Sequence, residues 1–172
     1  SGRGLWPMKF KLNGQIVEEE VHPNETLLDF LRDRMSLLSV KKGCDVGECG
    51  TCTVLLDGAA VRSCLMLAVQ AENSEVITLE GLSKDGKLHE IQEAFLEKYG
   101  FQCGFCTPGM ILATKALLDE NANPTPDDIK EALGGNLCRC TGYEQIIESV
   151  KRAAELIEEN PPIMSIGRIR DE

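Results

Sequence analysis

The N-terminal part of the chain alternates apolar and polar side chains, which is typical of a β-strand with one buried face. The apolar positions are Met8, Phe10 and Leu12. They are followed by Asn13-Gly14, a strong signal for a two-residue hairpin turn. Such a turn would pair Phe10 with Val17 on one face and Lys9 with Glu18 on the other. The sequence therefore predicts a β-hairpin with an apolar contact on one face and an opposite-charge pair on the other.

A helical pattern follows the predicted hairpin. Its apolar positions, which share one face of a helix, are Leu27, Leu28, Leu31 and Met35. Asn24 stands before them as a suitable N-cap, so we predict a helix of about three turns. Residues 53–56 and 76–79 then predict two strands, with Asp57-Gly58 as a tight turn after the first. We expect the first half of the chain to be a small mixed sheet with one helix.

The period of the apolar residues changes in the second half. Leu88, Ile91 and Phe95 recur at helical spacing, and Gly100 is placed to end this helix. The boundary between the halves therefore falls within residues 81–87. We divide the chain into a leader or tag (1–7), a sheet domain (8–82), a helical domain (83–160) and a C-terminal tail (161–172).

Three further helices are predicted from their start signals. Thr107-Pro108 and Thr125-Pro126 each combine a capping side chain with a proline at the first helical position. Residues 141–144 have the capping-box pattern, in which Thr141 and Glu144 satisfy each other's backbone N–H groups. Asn160, followed by two prolines, ends the last helix. The second half is thus expected to be a four-helix unit.

Composition and charge narrow the class of protein. The net charge of −10 argues against binding to a phosphate backbone, which needs a basic face. We find neither a signal-peptide pattern nor a run of about 18 apolar residues that could cross a membrane. We therefore expect a cytoplasmic protein, whose thiols stay reduced and whose regular cysteine pattern indicates metal ligation or catalysis rather than disulfides.

The chemistry of the chain is concentrated in two groups of four cysteines. They are Cys44, Cys49, Cys52 and Cys64, and then Cys103, Cys106, Cys138 and Cys140. The first group has the C-x4-C-x2-C spacing, with a more distant fourth cysteine, of plant-type 2Fe–2S clusters. The second group is a different four-thiolate frame. Two complete sets predict two one-electron centres and hence a path for electrons.

The residues around the cysteines suit an anionic cluster. Gly43, Gly47 and Gly50 would let the first loop fold back and bring N–H groups close to the sulfurs. The pairs 103–106 and 138–140 both precede predicted helix starts, where free N–H groups and a partial positive charge would favour a negative group. Arg62 and Arg139 lie near the cysteines, where each could tune a reduction potential or simply lie on the surface.

Two other interpretations of the cysteines remain open. Zinc could occupy either group, although the long C-x4-C loop is unusual for structural zinc. Cys103 and Cys106 could instead form a thioredoxin-type redox pair, but no βαβ pattern surrounds them, and Cys138 and Cys140 would then be unexplained. A redox-sensing or structural cysteine protein would hold little iron.

Three long motifs resemble one family. They are GCDVGECGTCTV at 43–54, QCGFCTPGM at 102–110 and GNLCRCTGY at 135–143. In sequence and order they are similar to the small iron–sulfur subunit of the xanthine oxidase family of molybdenum hydroxylases. The resemblance implies an α+β chain, with an N-terminal β-grasp plant-type ferredoxin domain followed by an all-α four-helix domain, each holding one 2Fe–2S cluster through its four cysteines.

The resemblance also implies partners and an electron path. A large subunit would carry molybdopterin, commonly as the cytosine dinucleotide, and hydroxylate an aldehyde or N-heterocycle; a medium subunit would carry FAD. Gln102 matches a family position that hydrogen-bonds the pterin, and Cys140 a ligand close to it. The helical-domain cluster would receive the electron first and the sheet-domain cluster would pass it on. The alternative is a freestanding two-cluster ferredoxin that shuttles electrons between enzymes, which the acidity of the chain also suits.

Overall fold

Residues 4–161 of the computed structural model are described here. Within them, five strands form one mixed sheet in the order β2-β1-β5-β3-β4. The strands are β1 (Trp6–Leu12), β2 (Gln15–Val21), β3 (Thr53–Leu56), β4 (Ala59–Arg62) and β5 (Glu75–Ile77). Strand β5 pairs parallel with β1 and antiparallel with β3. The sheet precedes a helical unit, which confirms the predicted α+β organisation.

The predicted hairpin is confirmed, including its register. Phe10 lies opposite Val17 and Lys9 opposite Glu18, and Lys9 Nζ is 2.7 Å from Glu18 Oε1. Strand β1 begins at Trp6 rather than at the predicted Met8. That residues 1–7 are a leader or tag stays a prediction.

The first helix is shorter than predicted and has a different cap. Helix α1 spans Leu27–Asp29 and continues as a π-helical segment over Phe30–Arg34. Its N-cap is Thr26, not Asn24, because the Thr26 hydroxyl accepts a hydrogen bond from the N–H of Asp29 at 3.1 Å. The helical residues therefore make little more than two turns.

Four helices follow, as predicted. They are α2 (Glu90–Glu97), α3 (Thr107–Glu120), α4 (Pro126–Leu133) and α5 (Glu144–Glu159). The cap of α4 is the predicted one, since Thr125 Oγ1 accepts a hydrogen bond from the N–H of Asp128. Helix α5 ends before Asn160, also as predicted.

The other predicted helix signals were wrong in detail. Helix α2 ends at Glu97, and Tyr99 rather than Gly100 takes the left-handed conformation after it. Helix α3 is capped at Cys106, and the Thr107 hydroxyl has no partner in the described part of the chain. Helix α5 has Tyr143 as its N-cap, so the predicted capping box does not form.

Two hydrophobic cores underlie the sheet and the helices. In the first, the rings of Phe10 and Phe30 pack edge to face with centroids 5.8 Å apart. The second surrounds Phe95 and Met110 and also takes in Leu55 from β3. Strand β3 packs on α3, and one proposed ligand directly precedes each of them, Cys52 before β3 and Cys106 before α3. None of the described helices is long and apolar enough to cross a membrane.

Candidate iron–sulfur centres

The loop between α1 and β3 directs backbone N–H groups at one thiol. The N–H groups of Val46, Glu48 and Cys49 donate to Cys44 Sγ at 3.4, 3.2 and 3.3 Å. These bonds, above all those from Val46 and Cys49, favour the thiolate and lower the pKa of Cys44 to about 7. Such an arrangement suits a sulfur that ligates iron, because it offsets the negative charge of the thiolate.

Each of the three predicted glycines is needed in this loop. Gly47 and Gly50 have φ values of +82° and +74°, which side chains with a Cβ rarely adopt. A Cβ on Gly47 would also collide with Leu65. Gly43 has no such backbone conformation, but a Cβ there would lie 2.8 Å from Cys49 Sγ. The glycines thus make room for the close approach of loop and sulfur.

Two of the three remaining thiols of the first group lie deeper than Cys44. Cys52 and Cys64 are both buried. Burial raises the pKa of Cys64 to about 11, and the neighbouring thiol of Cys52 adds to the effect. The thiols also lie close enough to affect one another's pKa: Cys49 helps to lower the pKa of Cys44, and Cys44 helps to raise that of Cys64. The structure therefore brings together the four cysteines that the spacing grouped.

The second group consists of an inner pair of thiols, Cys106 and Cys138, which are more buried, and an outer pair, Cys103 and Cys140, which are exposed. Cys106 is buried at the start of α3, and burial raises its pKa to about 12, with the Cys138 thiol as a further cause. Cys103 and Cys140 are exposed, and their mutual hydrogen bond raises the pKa of Cys140. These contacts bring the four predicted residues to one place.

Thr141 explains why the predicted capping box is absent. Its hydroxyl donates to Cys138 Sγ at 3.2 Å, and its N–H lies 3.5 Å from the same sulfur. Burial opposes ionisation of Cys138, but hydrogen bonds from Thr141, Cys140 and Cys106 together lower the pKa of this thiol. This role of Thr141 was not predicted; its position directly after Cys140, in the segment that holds both cysteines, was the available signal in the sequence.

Only one of the two cysteine pairs lies directly at a helix N-terminus. Cys106 immediately precedes α3, as predicted. Helix α5 begins at Glu144, and a turn with Tyr143 at a φ of +71° separates it from Cys140. The second pair is fixed differently, because the N–H of Cys138 donates to the Tyr143 hydroxyl at 2.9 Å.

A cavity of about 570 Å³ lies between the two groups. Thiols from both groups line it: Cys49, Cys103, Cys106 and Cys138. No three or more His, Cys, Asp or Glu side chains within residues 4–161 are arranged to hold a single metal ion. The fit to clusters therefore depends on the thiol contacts, the directed N–H groups and the room that the glycines provide.

The other predicted site residues lie at the edges. Gln102 is exposed beside the exposed Cys103. Arg139 is exposed and lines the cavity, whereas Arg62 reaches across to the helical half. His89 is not one of the predicted site residues: it is the N-cap of α2, its Nδ1 accepts a hydrogen bond from the N–H of Ile91, and burial lowers its pKa.

Comparisons with known proteins agree with this arrangement. Residues 10–79 match the family described as "2Fe-2S iron-sulfur cluster binding domain", and residues 78–151 match the "[2Fe-2S] binding domain" family. The nicotinate dehydrogenase small FeS subunit of Eubacterium barkeri is 52% identical over 86% of this chain and 94% of its own length. The xanthine dehydrogenase iron-sulfur-binding subunit of Escherichia coli O157:H7 is 50% identical over 81% of this chain and 88% of its own.

Solved structures give the same result. The chain superposes on quinoline 2-oxidoreductase from Pseudomonas putida with a TM-score of 0.86 and 44% identity, covering 91% of this chain and 98% of that one. Aldehyde oxidoreductase from Desulfovibrio desulfuricans also gives a TM-score of 0.86, with 43% identity, over 89% of this chain but 17% of that chain. The match therefore extends over both halves of the molecule.

Proposed function

Because this chain belongs to the small iron–sulfur subunits of the xanthine oxidase family of molybdenum hydroxylases, we propose that it carries electrons from a molybdopterin centre on a large subunit to FAD on a medium subunit. As an iron–sulfur subunit of an oxidoreductase, it has an electron-transfer role. The identity of the partner chains and the direction of flow are the proposed parts.

The proposal assigns the eight cysteines as cluster ligands. Cys44, Cys49, Cys52 and Cys64 would hold one 2Fe–2S cluster, and Cys103, Cys106, Cys138 and Cys140 the other. Each cluster supplies a reversible one-electron acceptor. The chain holds the thiolates in place, directs N–H groups at Cys44, and leaves room beside Cys49 through Gly43. The sheet domain (8–82) and the helical domain (83–160) would each contain one centre.

Exposure of the thiols supports the proposed direction of electron flow. Cys103 and Cys140 are exposed next to Gln102, whereas Cys106 is buried and Cys138 half-buried. Cys103, Cys106 and Cys138 all line the cavity that Cys49 also lines. An electron from the pterin would therefore enter at the outer pair, with Gln102 as a hydrogen-bonding contact to the pterin. It would leave through the sheet-domain group toward the flavin.

The relatives suggest the class of substrate. Their names include nicotinate dehydrogenase, nicotine 6-hydroxylase, caffeine dehydrogenase and xanthine dehydrogenase, all of which refer to N-heterocycles. We propose an N-heterocycle or an aldehyde as the substrate of the assembled enzyme, a cytosine dinucleotide form of the pterin, and a cytoplasmic location. The substrate site would lie on the large subunit.

Purification of the tagged chain from its own cells tests the proposal. Two larger chains should co-purify, with molybdenum and FAD, and dithionite should develop two distinct 2Fe–2S signals in electron paramagnetic resonance. A red chain that purifies alone and reduces unrelated enzymes would instead indicate the freestanding ferredoxin. A protein with little iron would contradict both.

The variant Gln102→Ala tests the pterin contact. We expect the complex to keep both iron–sulfur signals but to retain less molybdenum, because one hydrogen bond to the pterin is lost. Gln15→Ala is the matched control, since Gln15 is also exposed but lies on β2, at the far edge of the sheet. Equal molybdenum in both variants would contradict this role for Gln102.

A further inference from the structure

Two side chains cross between the cysteine loops of the sheet and helical halves. Arg62 lies at the end of β4, two residues before Cys64. Its Nη2 donates to the carbonyl oxygen of Gly135 at 2.7 Å, and its Nη1 donates to Thr53 Oγ1 at 2.8 Å. A guanidinium from the sheet half therefore holds the main chain just ahead of Cys138.

Asn136 makes the reciprocal contact. It lies two residues before Cys138, and only 3% of it is exposed. Its Nδ2 donates to the carbonyl oxygen of Gly50 at 3.0 Å and to Thr53 Oγ1 at 3.3 Å. Gly50 stands between two proposed ligands of the first cluster, Cys49 and Cys52. Each half thus sends one side chain into the cysteine loop of the other.

The two contacts meet at a single hydroxyl. Thr53 Oγ1 accepts from both Arg62 and Asn136 and itself donates to the Gly50 carbonyl at 2.6 Å. A hydroxyl has one donor and two acceptor positions, so all of them are used. Because the hydroxyl has no unused donor or acceptor position, it cannot exchange one partner for another. This favours a single arrangement of the junction.

Main chain packs against main chain around this hydroxyl. A Cβ on Gly109, in α3, would lie 2.6 Å from the Gly50 carbonyl oxygen. A Cβ on Gly135 would collide with the guanidinium of Arg62. The loops therefore have no space to slide past each other.

We propose that Arg62 and Asn136 are positioning residues that fix the separation of the two cluster-binding loops. This inference depends on the proposed function, in which an electron passes from one loop to the other. The rate of electron transfer through protein falls steeply with distance. A junction held from both sides would therefore keep the rate of transfer between the clusters constant while partner subunits bind and release. Neither side chain donates a hydrogen bond to a cysteine sulfur in the described residues, so their effect would be on distance.

Magnetic coupling between the reduced clusters measures that distance directly. The holoenzyme carrying Arg62→Met and Asn136→Leu should keep the iron content and the g-values of both signals after dithionite reduction. Dipolar coupling falls with the cube of the separation, so the mutual splitting of the two signals at low temperature should become smaller and broader than in the parent. Each single variant keeps one of the two crossing side chains and should give intermediate splitting. The single variants therefore still test the proposal if the double variant does not assemble.

Arg32→Met is the matched control. Arg32 is also a half-buried arginine with two bonds to oxygen, but both go to carbonyls of its own half, those of Leu38 and Val40. A loss of general stability would affect this variant as well, whereas its splitting should equal that of the parent. Arg62→Lys, which keeps the charge but not the two-armed geometry, should recover only part of the splitting.

The outcomes separate this inference from the proposed function. Parental splitting in the double variant, or in both single variants if the double does not assemble, would overturn the positioning role. So would a parent with both signals and no mutual splitting. A parent without two 2Fe–2S signals would instead overturn the proposed function.

Discussion

The backbone N–H of Leu137 donates a hydrogen bond to the carbonyl oxygen of Cys49, with a nitrogen–oxygen distance of 2.9 Å. Leu137 directly precedes Cys138, so a single hydrogen bond joins the main chains of two proposed ligand loops. This main-chain hydrogen bond therefore connects the two groups of cysteines directly, in addition to the crossing side chains of Arg62 and Asn136.

Leu137→Pro should weaken this connection, because proline has no N–H to donate. We expect a loss of about 1 kcal/mol in the free energy of unfolding and slower electron transfer between the clusters. Rapid-freeze electron paramagnetic resonance would follow the appearance of the two signals. Leu137→Ala keeps the N–H of this exposed residue and should transfer electrons as the parent does. Equal rates in the two variants would rule out this bond as part of the path.

Gly50→Ala should destabilise the protein by more than the positive φ of this residue alone would cost. Gly50 has a φ of +74°, and a Cβ there would collide with the Gly135 carbonyl and approach Asn136. We expect a loss of about 3 kcal/mol from strain and overpacking together, with lower iron content. Thermal unfolding and iron analysis measure both.

Gly58→Ala is the control for that variant. Gly58 has a similar φ of +85°, but a Cβ there would meet nothing within 4 Å. Its cost should be about 1 kcal/mol, from the backbone alone. If the two variants lose the same stability and iron, steric exclusion at Gly50 is unimportant.

Thr141→Val should lower the reduction potential of the helical-domain cluster. The variant removes the hydroxyl that donates to Cys138 Sγ at 3.2 Å, and a sulfur without this bond stabilises the added electron less well. Redox titration monitored by electron paramagnetic resonance measures the shift. Thr141→Ser keeps the donor and should restore the potential. A valine variant with the parental potential would show that this bond is not a tuning element.

The thiol pKa values predict an order of alkylation in the metal-free protein. Because donated N–H groups lower the pKa of Cys44 to about 7, whereas burial raises that of Cys106 to about 12, iodoacetamide at neutral pH should modify Cys44 before Cys106. The Cys44 rate should rise through pH 7 and then level off, while Cys106 stays slow. Mass spectrometry of the peptides gives both rates.

The lowered pKa of Cys44 also makes the stability of the folded apoprotein depend on pH. The folded-state pKa lies below the ordinary value, so ionisation of this thiol adds to the free energy of unfolding. This contribution is present above the unfolded pKa and is lost as the pH falls through about 7. In denaturant the rates of Cys44 and Cys106 should converge. Equal rates in the folded apoprotein would contradict the N–H bonds to Cys44.

Local patterns were sufficient to predict the hairpin and the grouping of the cysteines. The Asn13-Gly14 turn fixes the register, so Phe10 and Val17 could be paired from sequence alone. Thr125 likewise caps α4, because within residues 4–161 its hydroxyl forms hydrogen bonds only with Asp128 of its own turn.

Predictions failed where a side chain had more than one possible partner nearby, or where the partner lay far along the chain. Thr141 bonds the Cys138 thiol instead of closing a capping box, and Thr26 replaces Asn24 as the cap of α1. The bond from Arg62 to Gly135 spans 73 residues, and no periodicity or spacing in the sequence indicates it. Such contacts form only once both halves are folded and packed together.

The exposure of Cys103 and Cys140 has a practical consequence for handling the isolated chain. Two thiolates at the surface are open to dissolved oxygen, and solvent-accessible thiolates are the ones that oxidise to sulfenic acid. The helical-domain centre should therefore bleach in air before its counterpart, whose Cys52 and Cys64 are buried. Anaerobic preparation would preserve it until a covering subunit shields that edge.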